Sequence, residues 1–403
     1  MRVEARLFLG AGVALAAGAC AAAGPAAGPA ATNAFPVVSC AEGVPVVASS
    51  LAAGAQRSLI LGRNADALTG AQAAVAAESG NPQHHFLLAQ TQVAASDFAG
   101  ADASFDRTEQ LCAGFAGEIA MERERAWATA FQQGLTAFES GDTATAIGRW
   151  SSANEIYAGR PDGYYNLGVV YSQRGELAQA AAAYREALAV LDRMPADTSA
   201  TEMANRNETR QNSLAGLLGV GARLFQQEDF TGAAELFQSL TVSDANSRDA
   251  WYNSALALYK LERWNDLVPV ARRVQSFDPL NENARIILFN AYKGQAEAMG
   301  SPAGDPMRNS ALAVLEEIDA LPVFLDEIRF EAPEGGQPTL TGKVTGNAAT
   351  TGQQVALTFT FFGPSGQVGT RPVTVMAPAK GQSATFSVPL PEGVVTSYSY
   401  RVG

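Results

Sequence analysis

The sequence predicts an α+β multidomain chain, an α-helical repeat superhelix followed by a small antiparallel β-sandwich. Three observations carry this reading. A pattern of aromatic, small and aliphatic residues returns every 34 residues through the middle of the chain. From Val323 onward the apolar residues alternate with polar ones instead, and Gly, Pro and Ser clusters separate the runs. The chain has 403 residues, 47% of them apolar and 17% charged, the composition of a folded protein with length for two or three domains.

At the N-terminus, Met1–Arg6 carries Arg2 and Arg6, and the uncharged run Leu7–Ala19 follows. That run is shorter than the roughly 20 residues a membrane-spanning helix needs. Small residues then dominate up to Cys20, so residues 1–23 are predicted to be a bacterial secretory signal peptide. Two processing routes are open. Cys20 is the lipidated first residue of a lipoprotein, although Ala17 stands where such signals usually carry Leu. Alternatively, a signal peptidase cuts near Ala19–Ala23. Both place the protein outside the cytoplasm, periplasmic or anchored to the bacterial envelope. Residues 24–40, with Pro25 and Pro29, have no period and are predicted to be a flexible Ala/Gly/Pro tether. Processing removes Cys20 from thiol chemistry. Cys40 and Cys112 then remain as an even pair in a disulfide-permitting compartment. They form either a bridge or two buried thiols.

The repeat occupies 41–321. Residues 161–194 carry Tyr164, Leu167, Gly168, Tyr171, Gly175, Ala180, Tyr184 and Ala187. Residues 248–281 repeat this order, with Trp251, Tyr252, Asn253 and Ala255 early and Pro279 near the end. Units 82–115, 127–160 and 214–247 follow the same register. A weaker one, 48–81, keeps only Ala67, Ala71 and Ala74. A further first helix begins after 282, followed by a long loop Gly294–Arg308 and a helix Asn309–Ala320. Residues 195–213 are a polar insert between two units. Small residues sit where two helices approach, and large ones fill the space beside them, so neighbouring helix pairs must stack to bury their apolar faces. The 34-residue helix–turn–helix unit resembles the tetratricopeptide repeat (TPR) family.

Residues 322–403 hold the alternating runs, including Phe330, Leu340, Val344, the stretch Val355–Phe362, Val373, Val375, Phe386 and Val388. Turns are predicted at 333–336, 363–366 and 378–381. Five to seven short strands of this spacing predict an antiparallel β-sandwich. Gly342-Lys343-Val344, Phe361-Phe362 with Gly366, and Gly381 with Phe386 resemble the FxLYD-type β-domains of bacterial envelope proteins. The Asn usual after the Val is displaced here to Asn347. That resemblance implies a non-enzymatic module.

Catalytic chemistry finds little support. A net charge of −12 argues against a nucleic-acid binder. The N-terminal 40 residues are nearly neutral and the C-terminal 82 balance, so the acidity lies in the repeats. Two adjacent His and three scattered Cys argue against a zinc site or a Ser-His-Asp hydrolase. No phosphate-binding, dinucleotide-binding or nucleophile-elbow motif occurs. No cofactor, no metal site and no enzyme activity are expected.

The TPR resemblance instead implies a concave peptide-binding groove lined by repeat positions 2, 5, 6, 9, 12 and 13. Carried onto this chain, those positions give Phe131, Leu135, Phe138, Tyr165, Asn166, Val169, Leu218, Phe225, Tyr252, Asn253, Leu256 and Tyr259. The implied function is an exported non-catalytic scaffold for envelope protein assembly. It binds a protein or peptide segment that is apolar or amphipathic with basic flanks. Alternatives are a structural envelope protein whose groove is occupied in cis, or an accessory subunit of an envelope enzyme. Lipid on Cys20 is a possible membrane attachment.

Overall fold

The computed structural model describes residues 35–403 apart from 45–46, 197–198, 301, 303–304, 333–335, 348–350 and 365. The predicted signal peptide, Cys20 and the first part of the tether lie outside the described residues. Two compact units divide the described chain between Thr209 and Arg210.

The first unit is built of four helical hairpins. They are α1 (Ser50–Ile60) with α2 (Asn64–Ala77), α3 (Pro82–Ala94) with α4 (Phe98–Leu111), α5 (Ala116–Glu139) with α6 (Thr143–Ile156), and α7 (Asp162–Arg174) with α8 (Leu177–Arg193). The fifteenth position of each 34-residue unit takes a left-handed backbone, at Gly62, Ser96, Gly141 and Gly175. Glycine adopts that geometry without a Cβ penalty, which is why three of the four hairpins turn on one. The next residue starts the second helix. Asp97 and Asp142 accept hydrogen bonds there from the Gly100 and Thr145 N–H groups, both at 3.0 Å, the usual work of an N-cap carboxylate. Even the weak unit 48–81 forms a hairpin, with Ala52, Ala55, Ala67, Ala71 and Ala74 all buried.

Within each hairpin a ring lies on a small residue. A Cβ added to Gly168 would sit 2.6 Å from the Tyr184 ring. Gly134 faces the Trp150 indole in the same way, and Trp150 Nε1 donates to the Phe131 carbonyl at 3.2 Å. A disulfide joins Cys40 to Cys112 with the Cα atoms 5.3 Å apart. The segment beside it is tied to α3, where Gln83 Nε2 donates to the Pro36 carbonyl at 3.3 Å.

The second unit contains the end of α9 (Ala200–Gln226), α10 (Phe230–Ser243), α11 (Arg248–Lys260), α12 (Trp264–Phe277), α13 (Glu282–Ala298) and α14 (Pro306–Ala320). Most of the polar insert 195–213 is helix, because it lengthens the first helix of its repeat at the N-terminal end. No Gly or Pro interrupts residues 196–213, and an Arg206–Glu202 pair at i,i+4 supports the added turns. One expectation is corrected here: the loop predicted over Gly294–Arg308 is shorter, as the bounds of α13 and α14 show. Gly294 is not a breaker but lies inside α13 against the Trp264 ring. Asp305 caps α14 by accepting from Met307 N–H at 2.8 Å.

The strands are β1 (Val323–Glu331), β2 (Thr339–Gly346), β3 (Gln354–Gly363), β4 (Gly366–Met376), β5 (Ser383–Pro389) and β6 (Ser397–Val402). They form two antiparallel sheets, β1-β2-β5 and β4-β3-β6. Leu340, Val344, Val355, Leu357, Phe359 and Phe361 point between the sheets into one core, following the period of two read from the sequence. Leu280, from the turn between α12 and α13, enters the same core. Its carbonyl accepts the Leu325 N–H at 2.9 Å, its N–H donates to Tyr400 Oη at 3.1 Å, and Asn281 Nδ2 donates to the Leu325 carbonyl at 3.0 Å. A helical turn thus closes the mouth of the sandwich between the edge strands β1 and β6.

Candidate functional site

The twelve predicted groove positions do not form an open apolar surface. Phe131, Leu135, Asn166, Leu218, Phe225, Tyr252, Asn253 and Leu256 are buried, which corrects their assignment as exposed contact residues. Phe138, Tyr165, Val169 and Tyr259 are half-buried. The physical reason is local pairing. Phe131 stacks on Trp127 at 4.8 Å, and Phe138 packs against Trp150 at 5.8 Å. Tyr165 meets Tyr184 at 6.0 Å, Phe225 meets Phe230 at 5.0 Å, and Tyr259 meets Trp264 at 5.8 Å. Most of these rings turn back onto the second helix of their own hairpin, where they bury more area than a solvent-facing groove would allow. Burial also pushes the Tyr252 hydroxyl up to about 12.

A well-formed concave site lies wholly within the second unit. It is a cleft of about 640 Å³ between the helices and the two sheet edges. One wall carries Leu214, Ala215 and Leu218 from α9 and Leu240 from α10. The facing wall is Glu327–Phe330 of β1 and Val394–Tyr398, which lead into and begin β6. Apolar side chains therefore face each other across the cleft, while Arg210, Asp244, Asp249, Glu327 and Arg329 bring both charges to its lining. That volume and mixture suit a bound ligand segment. Of the predicted groove residues, Leu218 is in this wall. The others are not.

At one end of the cleft a buried ion pair fixes α11 and α12 to β6. Arg248 Nη2 and Nε both reach Asp278 Oδ2 at 2.5 Å, and both side chains are buried. The guanidinium lies 5.1 Å from the Tyr398 ring centre and 5.8 Å from that of Tyr252. The Arg248 N–H donates to Ser397 Oγ at 3.2 Å. Burial works against the Arg248 charge, but Asp278, Tyr398 and Asp249 overcome it and hold its pKa well above the ordinary value. Asp244 caps the α10–α11 turn by accepting from the Asn246 N–H at 2.9 Å, and burial raises its carboxyl. These contacts tie the walls of the cleft together. No cluster of three or more His, Cys, Asp or Glu suited to a metal ion occurs among the described residues. Both His side chains have hydrogen-bonding neighbours. His84 is buried, its Nδ1 3.0 Å from the Ala74 carbonyl and its Nε2 accepting the Ser49 N–H at 3.2 Å, while His85 lies 2.9 Å from the Ser79 carbonyl.

Sequence reasoning missed the cleft because residues more than a hundred positions apart build it. The one available signal was the apolar pairs Leu214/Leu218 and Val394/Val395, which the repeat register and strand alternation absorbed without a partner.

Tetratricopeptide repeat models match residues 161–192 and 221–279. The first range is α7 with most of α8. The second runs from the end of α9 through α12. No curated protein matches the sequence. Similar solved structures include MamA from AMB-1, 14% identical, covering 48% of this chain and 91% of that one at a TM-score of 0.30. A further one is the C-terminal part of a TPR repeat-containing protein from Cytophaga hutchinsonii, 14% identical, covering 66% of this chain and 93% of that one at 0.29. A third, the APC/C hetero-tetramer Cut9–Hcn1, is 12% identical and covers 60% of this chain at 0.25. This chain spans 42% of the length of that last match. The hairpins within those two ranges are similar to tetratricopeptide repeats, a fold that serves generally in protein–protein interaction.

Proposed function

We propose that the protein is an exported, non-catalytic scaffold for envelope protein assembly, and that it holds a partner's segment in the cleft of its second unit. One observation carries this reading. The cleft is the place where apolar side chains from two different substructures, helices and sheet edges, face one another across an open space of about 640 Å³. Export is supported by the Arg-flanked apolar N-terminus and by the Cys40–Cys112 bridge, which belongs to an oxidising compartment. The acidic balance of −12 favours a partner segment with basic flanks and an association that weakens with salt.

Site-specific photocrosslinking in a bacterial host that exports the chain tests the site. A photoreactive residue at Ala215 or Val394 is expected to capture a discrete partner, and one at exposed Gly117 is not. Adducts forming from Tyr165 and Tyr259 but not from the cleft would return the binding role to the repeat groove. Fractionation of the same cells tests localisation, where a wholly cytoplasmic chain would remove the export part.

A further inference from the structure

We infer that the occupant of the cleft is an extended peptide strand of a partner protein, added to the edge of β1 at Ile328–Phe330. This rests on the cleft being the partner site. The wall itself shows which part of β1 faces the space. Glu327, Ile328, Arg329 and Phe330 are four consecutive residues, and all line the cleft. Successive side chains of a regular strand point to opposite faces, so a cavity touching Ile328, Arg329 and Phe330 in a row borders the strand's edge. Glu327 and Arg329 also line a second hollow with Thr341 and Lys343 on one face of the β1-β2-β5 sheet, and Glu327 pairs there with Lys343 at 3.6 Å. Ile328 and Phe330 pack towards the sandwich core. The two sets of side chains leave the backbone edge between them in the cleft. Sheet order places β1 at the end of its sheet.

The same edge already accepts a main chain a few residues earlier. The Leu325 N–H donates to the Leu280 carbonyl, and the Leu325 carbonyl accepts from Asn281. Leu325 is therefore a position whose polar backbone groups face away from β2. A bulge follows, with one extra residue between Asp326 and Arg329 and a left-handed Glu327 at φ 51°. Past the bulge the alternation resumes with Phe330, paired in register with Leu340, facing outward in the same sense. A bulge of this kind bends an edge strand and re-aims it. Here it ends the intramolecular pairing with the α12–α13 turn and turns the next segment into the cleft. Adding a strand to such an edge draws affinity from main-chain hydrogen bonds and specificity from alternate side-chain pockets. The exposed length, Ile328–Phe330 at about 3.3 Å per residue, fits a short segment. Its alternate side chains meet Leu218, Leu240 and Val395, so the segment carries apolar residues at every second position.

A library of linear octapeptides displayed on phage and selected against the full oxidised chain supplies the probe. The selected peptides are expected to alternate apolar residues and to lose binding to Ala215→Trp and Val394→Trp, two substitutions at incompletely buried lining positions. A thermal melt of each variant checks that it folds. A selected peptide is then remade with one backbone amide N-methylated at a time. Methylation at every second position is expected to weaken binding about tenfold, the effect of one lost hydrogen bond of about 1.4 kcal/mol, and the intervening positions are expected to tolerate it. Hydrogen exchange at the Phe330 amide is expected to slow on peptide binding. Binding that depends on Ala215 and Val394 without the two-residue periodicity overturns the strand inference and leaves the cleft standing. Binding that survives both cleft substitutions, or a library that yields no binder, overturns both.

Discussion

Gly168 shows how closely one residue is bound to one neighbour. No larger side chain fits beside the Tyr184 ring without moving it. Gly168→Val is expected to cost about 1–3 kcal/mol through overpacking, read as a lower denaturant midpoint. An unchanged midpoint would show that α7 and α8 separate freely. Tyr252 makes the converse point. A tyrosine at a groove position of its repeat reads as a contact residue by sequence position, but it is buried, and Arg248 lies over its ring. Tyr252→Ala is therefore expected to cost about 3–5 kcal/mol of stability, as large aromatic truncations in a core do. Half-buried Tyr165→Ala is expected to cost clearly less, and equal losses would contradict the packing described. The type and position of these residues were legible in the sequence. Their depth was not, because depth depends on the second helix that each ring reaches.

Elements are set by short local signals. The left-handed turn residue followed by Asp recurs at Gly141-Asp142, and the helix after it starts where the carboxylate can accept the Thr145 N–H. That backbone hydrogen bond, first among the causes, lowers the Asp142 carboxyl below its ordinary 3.8. A lowered acid contributes stability that is complete above the unfolded value and is lost as pH falls through the folded one. The stability difference between the native chain and Asp142→Ala is thus expected at neutral pH and should shrink as the pH drops below 3.8. Melts across that range measure it, and a difference that stays constant would remove the carboxylate from the cap. The segment around Gly294 was misread because a glycine usually marks a break, but here the Trp264 ring occupies the space beside it.

For the molecule as a whole, two cross-links between distant segments decide its integrity. The Cys40–Cys112 bridge closes a loop of 72 residues and is expected to contribute roughly 4 kcal/mol in the chain-entropy model. Denaturant unfolding of the first unit's helices with and without reductant measures this, and coincident curves would oppose it. In the second unit the Arg248–Asp278 pair, together with Tyr398, ties the last helical hairpins to the β-sandwich. Arg248→Met leaves a buried carboxylate without its partner and is expected to cost about 3–5 kcal/mol, much of it recovered by adding Asp278→Leu. Additive losses in the double variant would mean the pair does not act as a unit. The sequence by itself determined the 34-residue repeat, the change to a two-residue period at 323 and the strands that follow. These are local regularities, written wherever one element meets its neighbour. Tertiary structure alone decided which rings are buried, that Leu280 enters the sandwich core, and that helices and sheet edges leave a cleft between them. The physical reason is that each of these depends on groups far apart in the chain, such as Leu218 and Val395, whose spacing the sequence leaves unspecified until the elements pack.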